Sequence, residues 1–113
     1  MSAVSGRPPL RGRMVDIGGR SLRLVCAGPE TSSHPLVLME AGAFGLAADW
    51  SAVQDRLAER GFRSCAYDRA GAGFSDPGPA PRDGAAVAAD FVKLVRAAQL
   101  KGCLLYTSDA ADE

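Results

Sequence analysis

Residues Pro35 to Met39 form an apolar run with no polar residue at alternate positions, and turn-forming residues bound the run on both sides. A strand with one wet face would alternate apolar and polar residues, whereas a continuous run is typical of a strand buried on both faces. Strands of this kind occur in parallel sheets that are covered by helices on both sides. The run therefore predicts an α/β domain built around a parallel sheet.

A helix and a second strand follow the apolar run. The apolar face of the helix is predicted from the spacing of four residues, Trp50, Val53, Leu57 and Ala58. Gln54 falls on the opposite face, among charged residues. Asp49 or Ser51 is suited to capping the start of the helix, and Gly61 is suited to its end. Residues 62–67 then predict a strand, so the three elements make a βαβ unit with a right-handed crossover.

Two segments before the apolar run, residues 13–17 and 21–26, alternate apolar and polar positions around Gly18-Gly19. A Gly-Gly dipeptide adopts the positive φ angles of a tight turn without strain. The opening of the chain therefore predicts an antiparallel hairpin, and the sheet as a whole is predicted to be mixed.

A glycine- and proline-rich loop, residues 68–82, precedes a second predicted helix that Asp83 can cap. The apolar stripe of this helix consists of five residues, Val87, Phe91, Leu94, Val95 and Ala98. The helix is expected to end between Gln99 and Gly102. Residues 1–12 are rich in Pro, Gly, Arg and Ser and are expected to form a disordered leader.

Charge and composition exclude several partners. The 113 residues carry 13 Lys and Arg against 13 Asp and Glu, so a net charge of zero gives no reason to expect nucleic acid or an anionic membrane. The leader has no apolar segment of a secretory signal, and no run is long enough to span a bilayer. A cytoplasmic location is the resulting expectation.

No metal or cofactor site is predicted. The three cysteines are isolated, and His34 is the single histidine, so no ligand spacing is present. Cys26 and Cys65 fall in predicted strands and are expected to behave as small buried apolar residues. His34 is expected to be a solvated residue at the start of a strand.

The order of these elements, together with two blocks of sequence, resembles the α/β-hydrolase superfamily (AB hydrolase-1 type) over residues 14–102. The first block is Leu36-Val37-Leu38-Met39-Glu40-Ala41-Gly42, followed by Trp50. The second is Asp68-Arg69-Ala70-Gly71-Ala72-Gly73-Phe74-Ser75-Asp76-Pro77. The resemblance implies an incomplete hydrolase sheet, in which an antiparallel hairpin is followed by parallel strands with crossover helices.

The glycine-rich turn after the apolar strand is a candidate oxyanion hole. Attack on an ester or amide carbonyl builds negative charge on its oxygen, which backbone N–H groups can stabilise. The resemblance implies that Ala43, which follows Gly42, supplies one such N–H group. The alternative is that Gly42 and Gly45 only let the chain turn tightly into the helix.

In the second block, the resemblance implies a loop beside the catalytic cleft. Asp68 and Arg69 are expected to form an ordering pair rather than to act as catalysts. Ser75 or Asp76 is expected to bond neighbouring N–H groups within the turn.

The catalytic triad of such an enzyme is missing from this chain. No Gly-x-Ser-x-Gly occurs, and His34 precedes the place where the nucleophile would stand. The chain is therefore interpreted as an inactive N-terminal fragment of a hydrolase that cleaves an ester, amide or similar bond of a small molecule. The missing nucleophile could be Ser or Asp. Residues 103–113 resemble the translation of a sequencing adapter and are interpreted as a non-native tail.

Two other functions remain open. A nucleotide-binding α/β domain would use Gly42-x-x-Gly45 or Gly71-x-Gly73 as a phosphate cradle, but neither matches a phosphate-binding fingerprint. A small non-catalytic interaction domain would need a complete core of its own, which four strands and two helices do not supply.

Overall fold

A computed structural model describes residues 11–40 and 45–100, together with the backbone of residues 103–107. The elements, in chain order, are β1 (Arg13–Asp16), β2 (Ser21–Ala27), β3 (Leu36–Glu40), a 3₁₀ turn (Ala47–Trp50), α1 (Ser51–Glu59), β4 (Ser64–Tyr67), α2 (Gly84–Ala97) and β5 (Cys103–Thr107). The strands form one sheet in the order β1-β2-β4-β3-β5.

The sheet is mixed, as the sequence predicts. β2 runs antiparallel to both β1 and β4, whereas β3 runs parallel to β4 on one side and to β5 on the other. Gly18 and Gly19 both have positive φ between β1 and β2, and the Asp16 carboxylate accepts their N–H groups at 2.7 and 2.9 Å. The hairpin and the parallel core are thus both confirmed.

Helices cover the two faces of the sheet. Leu38 is fully buried in the core cluster that includes Leu94 of α2, and the next residue, Met39, is buried in the opposite cluster, against which Trp50 and Leu57 pack. Successive side chains of a strand point to opposite faces. The continuous apolar run of β3 is therefore explained by burial on both sides.

Trp50 and Leu57 pack against the core as predicted, but the buried face of α1 differs from the predicted one at positions 53 and 54. Val53 is 43% exposed, whereas Gln54 is 1% exposed. The Gln54 amide nitrogen donates to the carbonyl oxygens of Val25 and Ser64 at 3.0 and 3.2 Å. The two hydrogen bonds explain why a polar amide is buried at a position where hydrophobicity alone predicts an exposed residue.

The cap residues of the helices are partly as predicted. Asp83 accepts the Ala86 N–H at 2.9 Å and caps α2, and Gly61 follows α1 with a φ of 86°. Asp49 instead accepts the Leu46 N–H at 2.9 Å, at the 3₁₀ turn that precedes α1. α2 ends at Ala97, slightly before the predicted limit.

The prediction for the two strand cysteines is wrong in one respect. Cys26 and Cys65 stand opposite each other in the β2–β4 pairing and form a disulfide. Their spacing of 39 residues gives no sign of this pairing, because only the register of the two strands brings them together.

At the chain ends, the structure bears on the predictions only in part. Residues 103–107, interpreted from sequence as part of a non-native tail, pair with β3 as the parallel strand β5. Residues 108–113 and most of the expected leader lie outside the described residues. Among the helices of the described part, none has the length and apolar character that a bilayer crossing requires.

Candidate functional site

The carboxyl ends of β3 and β4 lie side by side at one edge of the sheet. In the parallel register, Glu40 stands opposite Tyr67, and each residue is the last of its strand. Ligands of open α/β sheets bind in the crevice outside the carboxyl ends of the strands. Segment 41–44, which contains Gly42 and Ala43, lies outside the described residues. The oxyanion role of Ala43 therefore stays a prediction.

Glu40 accepts a short hydrogen bond across the ends of these strands. Tyr67, 1% exposed, donates its hydroxyl to Glu40 Oε2 at 2.5 Å, and Arg69 Nε lies 3.4 Å from the same oxygen. Burial raises the pKa of Tyr67, and its bond to the Glu40 carboxylate raises it further. The phenol therefore stays protonated and acts as a donor at this edge.

Asp68 is the fully buried acid of the second block. Its carboxylate accepts the N–H groups of Ala47 at 2.7 Å and Phe74 at 3.1 Å, and Arg23 Nη1 lies 3.5 Å away. The predicted ordering role has a structural basis, but the predicted partner is wrong. Asp68 pairs with Arg23 from β2, and Arg69 pairs with Glu40 instead.

Gly73 explains part of the glycine pattern in this loop. Its φ is +53°, and a Cβ atom built on it would stand 2.4 Å from Asp68 Oδ2. A side chain at this position would displace the buried carboxylate, so the loop needs glycine there.

Ser75 and Asp76 attach the same loop to β2. The sequence predicts instead that they bond neighbouring N–H groups within the turn. Ser75 Oγ accepts the Arg23 N–H at 2.8 Å and donates to the Asp68 carbonyl at 2.6 Å. Asp76 Oδ2 accepts the Ser21 N–H at 2.7 Å. The loop after β4 is thus hydrogen-bonded along its neighbour in the sheet.

A second group of charges joins α2 to the hairpin. Asp90 is 4% exposed, and its carboxylate binds Arg20 at 2.6 Å and also binds Arg82. Burial by itself raises the pKa of Asp90, but the bonds to the two guanidinium groups outweigh it, and the pKa lies below its ordinary value. Asp90 is therefore charged in the folded protein.

Two adjoining cavities open at this edge of the sheet, of about 600 and 430 Å³. Arg69, Arg82 and Val87 line both of them. A further cavity of about 570 Å³ lies at the opposite end, beside Cys26, His34 and Arg63. Only the first two border the loops that follow β3 and β4.

No histidine lies at this edge of the sheet, because the chain has a single histidine, His34, which lines the cavity at the opposite end. His34 is exposed, as predicted, and its ring stacks on Phe62 at 4.1 Å, at the amino end of β3. In the same part of the chain, no group of three or more His, Cys, Asp or Glu residues is arranged to hold a metal ion.

Sequence reasoning missed the roles of Glu40, Tyr67 and Asp90. The sequence contains a signal for Asp90: its carboxylate stands next to Phe91 and three residues after Val87, so it interrupts the apolar stripe of α2. For the pair of Glu40 and Tyr67 no signal exists, since their contact depends on the β3–β4 register.

Comparison with known proteins identifies the fold. No protein-family profile and no curated protein matches the sequence. An E-2-(acetamidomethylene)succinate hydrolase is 29% identical with a TM-score of 0.71, and the match covers 84% of this chain and 34% of that chain. Epoxide hydrolase A from Mycobacterium thermoresistibile is 28% identical with a TM-score of 0.69, over 84% and 30% of the two chains.

A probable hydrolytic enzyme from Pseudomonas aeruginosa PAO1 is 19% identical with a TM-score of 0.75, over 90% of this chain and 35% of that chain. The chain thus spans about a third of the length of these structures. The predicted combination of hairpin, parallel core and crossover helices is confirmed. The described residues have the fold of the N-terminal third of the α/β-hydrolases.

Proposed function

We propose that this chain is the N-terminal part of a hydrolase that cleaves an ester, amide or similar bond in a small molecule by acyl transfer. The observation that carries the proposal is the likeness in fold to hydrolases, at 28 and 29% identity over 84% of the chain. The cleft at the carboxyl ends of β3 and β4 supports it, because ligands of such sheets bind there.

In this proposal the N–H of Ala43 helps to stabilise the oxyanion, and the nucleophile, acid and histidine come from residues beyond these 113. Acyl transfer needs a Ser nucleophile, and the order Ser, then acid, then His is the one that this class of fold uses. The chain by itself is therefore inactive. The hydrogen bonds of Asp68 hold the loop after β4, so that the cleft has a fixed wall before substrate binds.

The reading frame of the source DNA tests this proposal. We would sequence long reads across the codons for Lys101 and Gly102, express any extended chain and assay it with p-nitrophenyl acetate. The proposal predicts that the frame continues into a strand with a Gly-x-Ser-x-Gly elbow, and that the extended chain hydrolyses the ester while the 113-residue chain does not. A genomic frame that ends at Glu113 would overturn it in favour of a non-catalytic interaction domain.

A further inference from the structure

The Nε donor of Arg69 is left without a hydrogen bond in the described part of the chain. Its Nε is buried, and the nearest acceptor, Glu40 Oε2, lies 3.4 Å away, too far for a hydrogen bond with good geometry. The Tyr67 hydroxyl donates a hydrogen bond to the same oxygen at 2.5 Å. Leaving buried donors unpaired is costly, so such a group needs an explanation.

Arg69 is placed where a bound molecule can reach it. Its side chain is 25% exposed, and it lines both cavities at the carboxyl edge of the sheet. The second arginine of that wall is already engaged, because Arg82 donates to the Pro79 carbonyl at 3.2 Å and binds Asp90. Arg69, by contrast, is ion-paired with Glu40 at 3.4 Å but keeps an Nε donor that makes no hydrogen bond to the described residues.

The surrounding charges select the ligand. Three carboxylates, those of Glu40, Asp83 and Asp90, also line the cavities. Glu40 accepts a hydrogen bond from Tyr67, and Asp83 accepts one from the Ala86 N–H. Asp90 accepts hydrogen bonds from Arg20 and Arg82. Three nearby carboxylates repel any anion, and they repel a dianion such as phosphate about twice as strongly as a monoanion. A monoanionic carboxylate matches the fork of one guanidinium group and adds a single charge.

We infer that Arg69 binds a free carboxylate on the substrate, away from the bond that is cleaved. The hydrolase would then act on substrates that carry an acid group. That the bound molecule is a substrate rests on the proposed function. The binding site itself belongs to the 113-residue chain and can be tested without hydrolysis.

The test is an NMR titration of the ¹⁵N-labelled 113-residue chain with monomethyl succinate, with dimethyl succinate as the neutral probe and inorganic phosphate as the dianion. We expect the monoester to shift the Arg69 Nε–H resonance and the amides of residues 69–73, the diester to leave them in place, and phosphate to bind more weakly. Arg69→Gln should weaken monoester binding by about tenfold or more, the usual effect of losing charge-assisted hydrogen bonds.

Arg69→Lys keeps the charge but loses the fork, so it should weaken binding less than Arg69→Gln does. Arg56→Gln, an exposed arginine of α1, is the matched control and should bind as the unchanged chain does. The inference is wrong if the diester binds as tightly as the monoester, if phosphate binds more tightly, or if monoester binding survives Arg69→Gln. Hydrolysis by the extended chain would stand in any of these cases, so the two proposals fail separately.

Discussion

At the scale of single residues, Asp68 does the most to hold the candidate site together. One carboxylate accepts N–H groups from the 3₁₀ turn and from the glycine loop, and it faces the guanidinium of Arg23 in β2. These three segments meet at no other buried acid in the described part of the chain. Substitutions at Asp68 should therefore affect the stability of the whole chain rather than one loop.

Asp68→Asn should lower the free energy of unfolding by about 3 kcal/mol, because the charge of Arg23 is then left buried without its partner. Urea unfolding followed by circular dichroism measures this change. Asp55→Asn is the control, since Asp55 pairs with Arg11 at 3.7 Å on an exposed surface. Such a pair contributes about 0 to 1 kcal/mol. Equal losses for the two variants would contradict the role given to Asp68.

Ala43→Pro tests the proposed oxyanion donor in the extended enzyme. Proline has no N–H, so kcat should fall by about 100- to 1,000-fold, the effect of removing one such donor in other enzymes. Ala43→Ser keeps the N–H and should retain most of the activity. Esterase assays on both variants make the comparison, and an unchanged kcat for the proline variant would remove Ala43 from the mechanism.

At the scale of elements, α2 is held to the hairpin by Asp90 and its two arginines. Because the pKa of Asp90 is lowered in the folded protein, the unfolded chain binds this proton more tightly. Asp90 therefore contributes its full stabilisation above about pH 4 and loses it as the pH falls further. Hydrogen bonds from Gly18 and Gly19 also lower the pKa of Asp16, which adds to the same acid-side loss.

Asp90→Asn isolates the contribution of this residue. The variant should be less stable at pH 7 by about 2 to 3 kcal/mol, as expected for a broken buried ion pair. Its stability should then fall less steeply than that of the unchanged chain between pH 5 and pH 2, with only the contribution of Asp16 and other acids remaining. Urea midpoints at several pH values measure this, and parallel pH curves would contradict the assignment.

The elements themselves were predictable where local pattern decides them. The hairpin follows from Gly18-Gly19, and β3 follows from its apolar run. The burial of Gln54 was not predictable, since its amide donates to two carbonyl groups that only the assembled sheet brings together. The same holds for the Glu40–Tyr67 bond and the Cys26–Cys65 disulfide, which depend on register between strands distant in sequence.

At the scale of the whole molecule, the disulfide ties β2 to β4 at the centre of the sheet. Closing a loop of this length stabilises a fold by up to about 4 kcal/mol in the chain-entropy description. Reduction should therefore lower the urea midpoint of the chain. The double variant Cys26→Ala, Cys65→Ala should show no further change on reduction, and a midpoint of the unchanged chain that does not respond to reductant would argue that the bond is absent.

The disulfide also bears on the compartment. The sequence gives a cytoplasmic expectation, but disulfides persist mainly where the surroundings are oxidising. Trapping of free thiols in cells that express the extended chain would decide between a cytoplasmic location and an oxidising compartment. A cytoplasmic enzyme is expected to show Cys26 and Cys65 reduced.

The strand order has a consequence for synthesis on the ribosome. Among the described strands, β3 pairs with β4 and β5, and both of these strands are made after it. Its apolar residues therefore have neither of these strand partners until the chain between Glu40 and Ser64 has been translated. An unpaired apolar strand is the kind of segment that aggregates during folding. We therefore expect the nascent chain to be prone to aggregation between the completion of β3 and the emergence of β4.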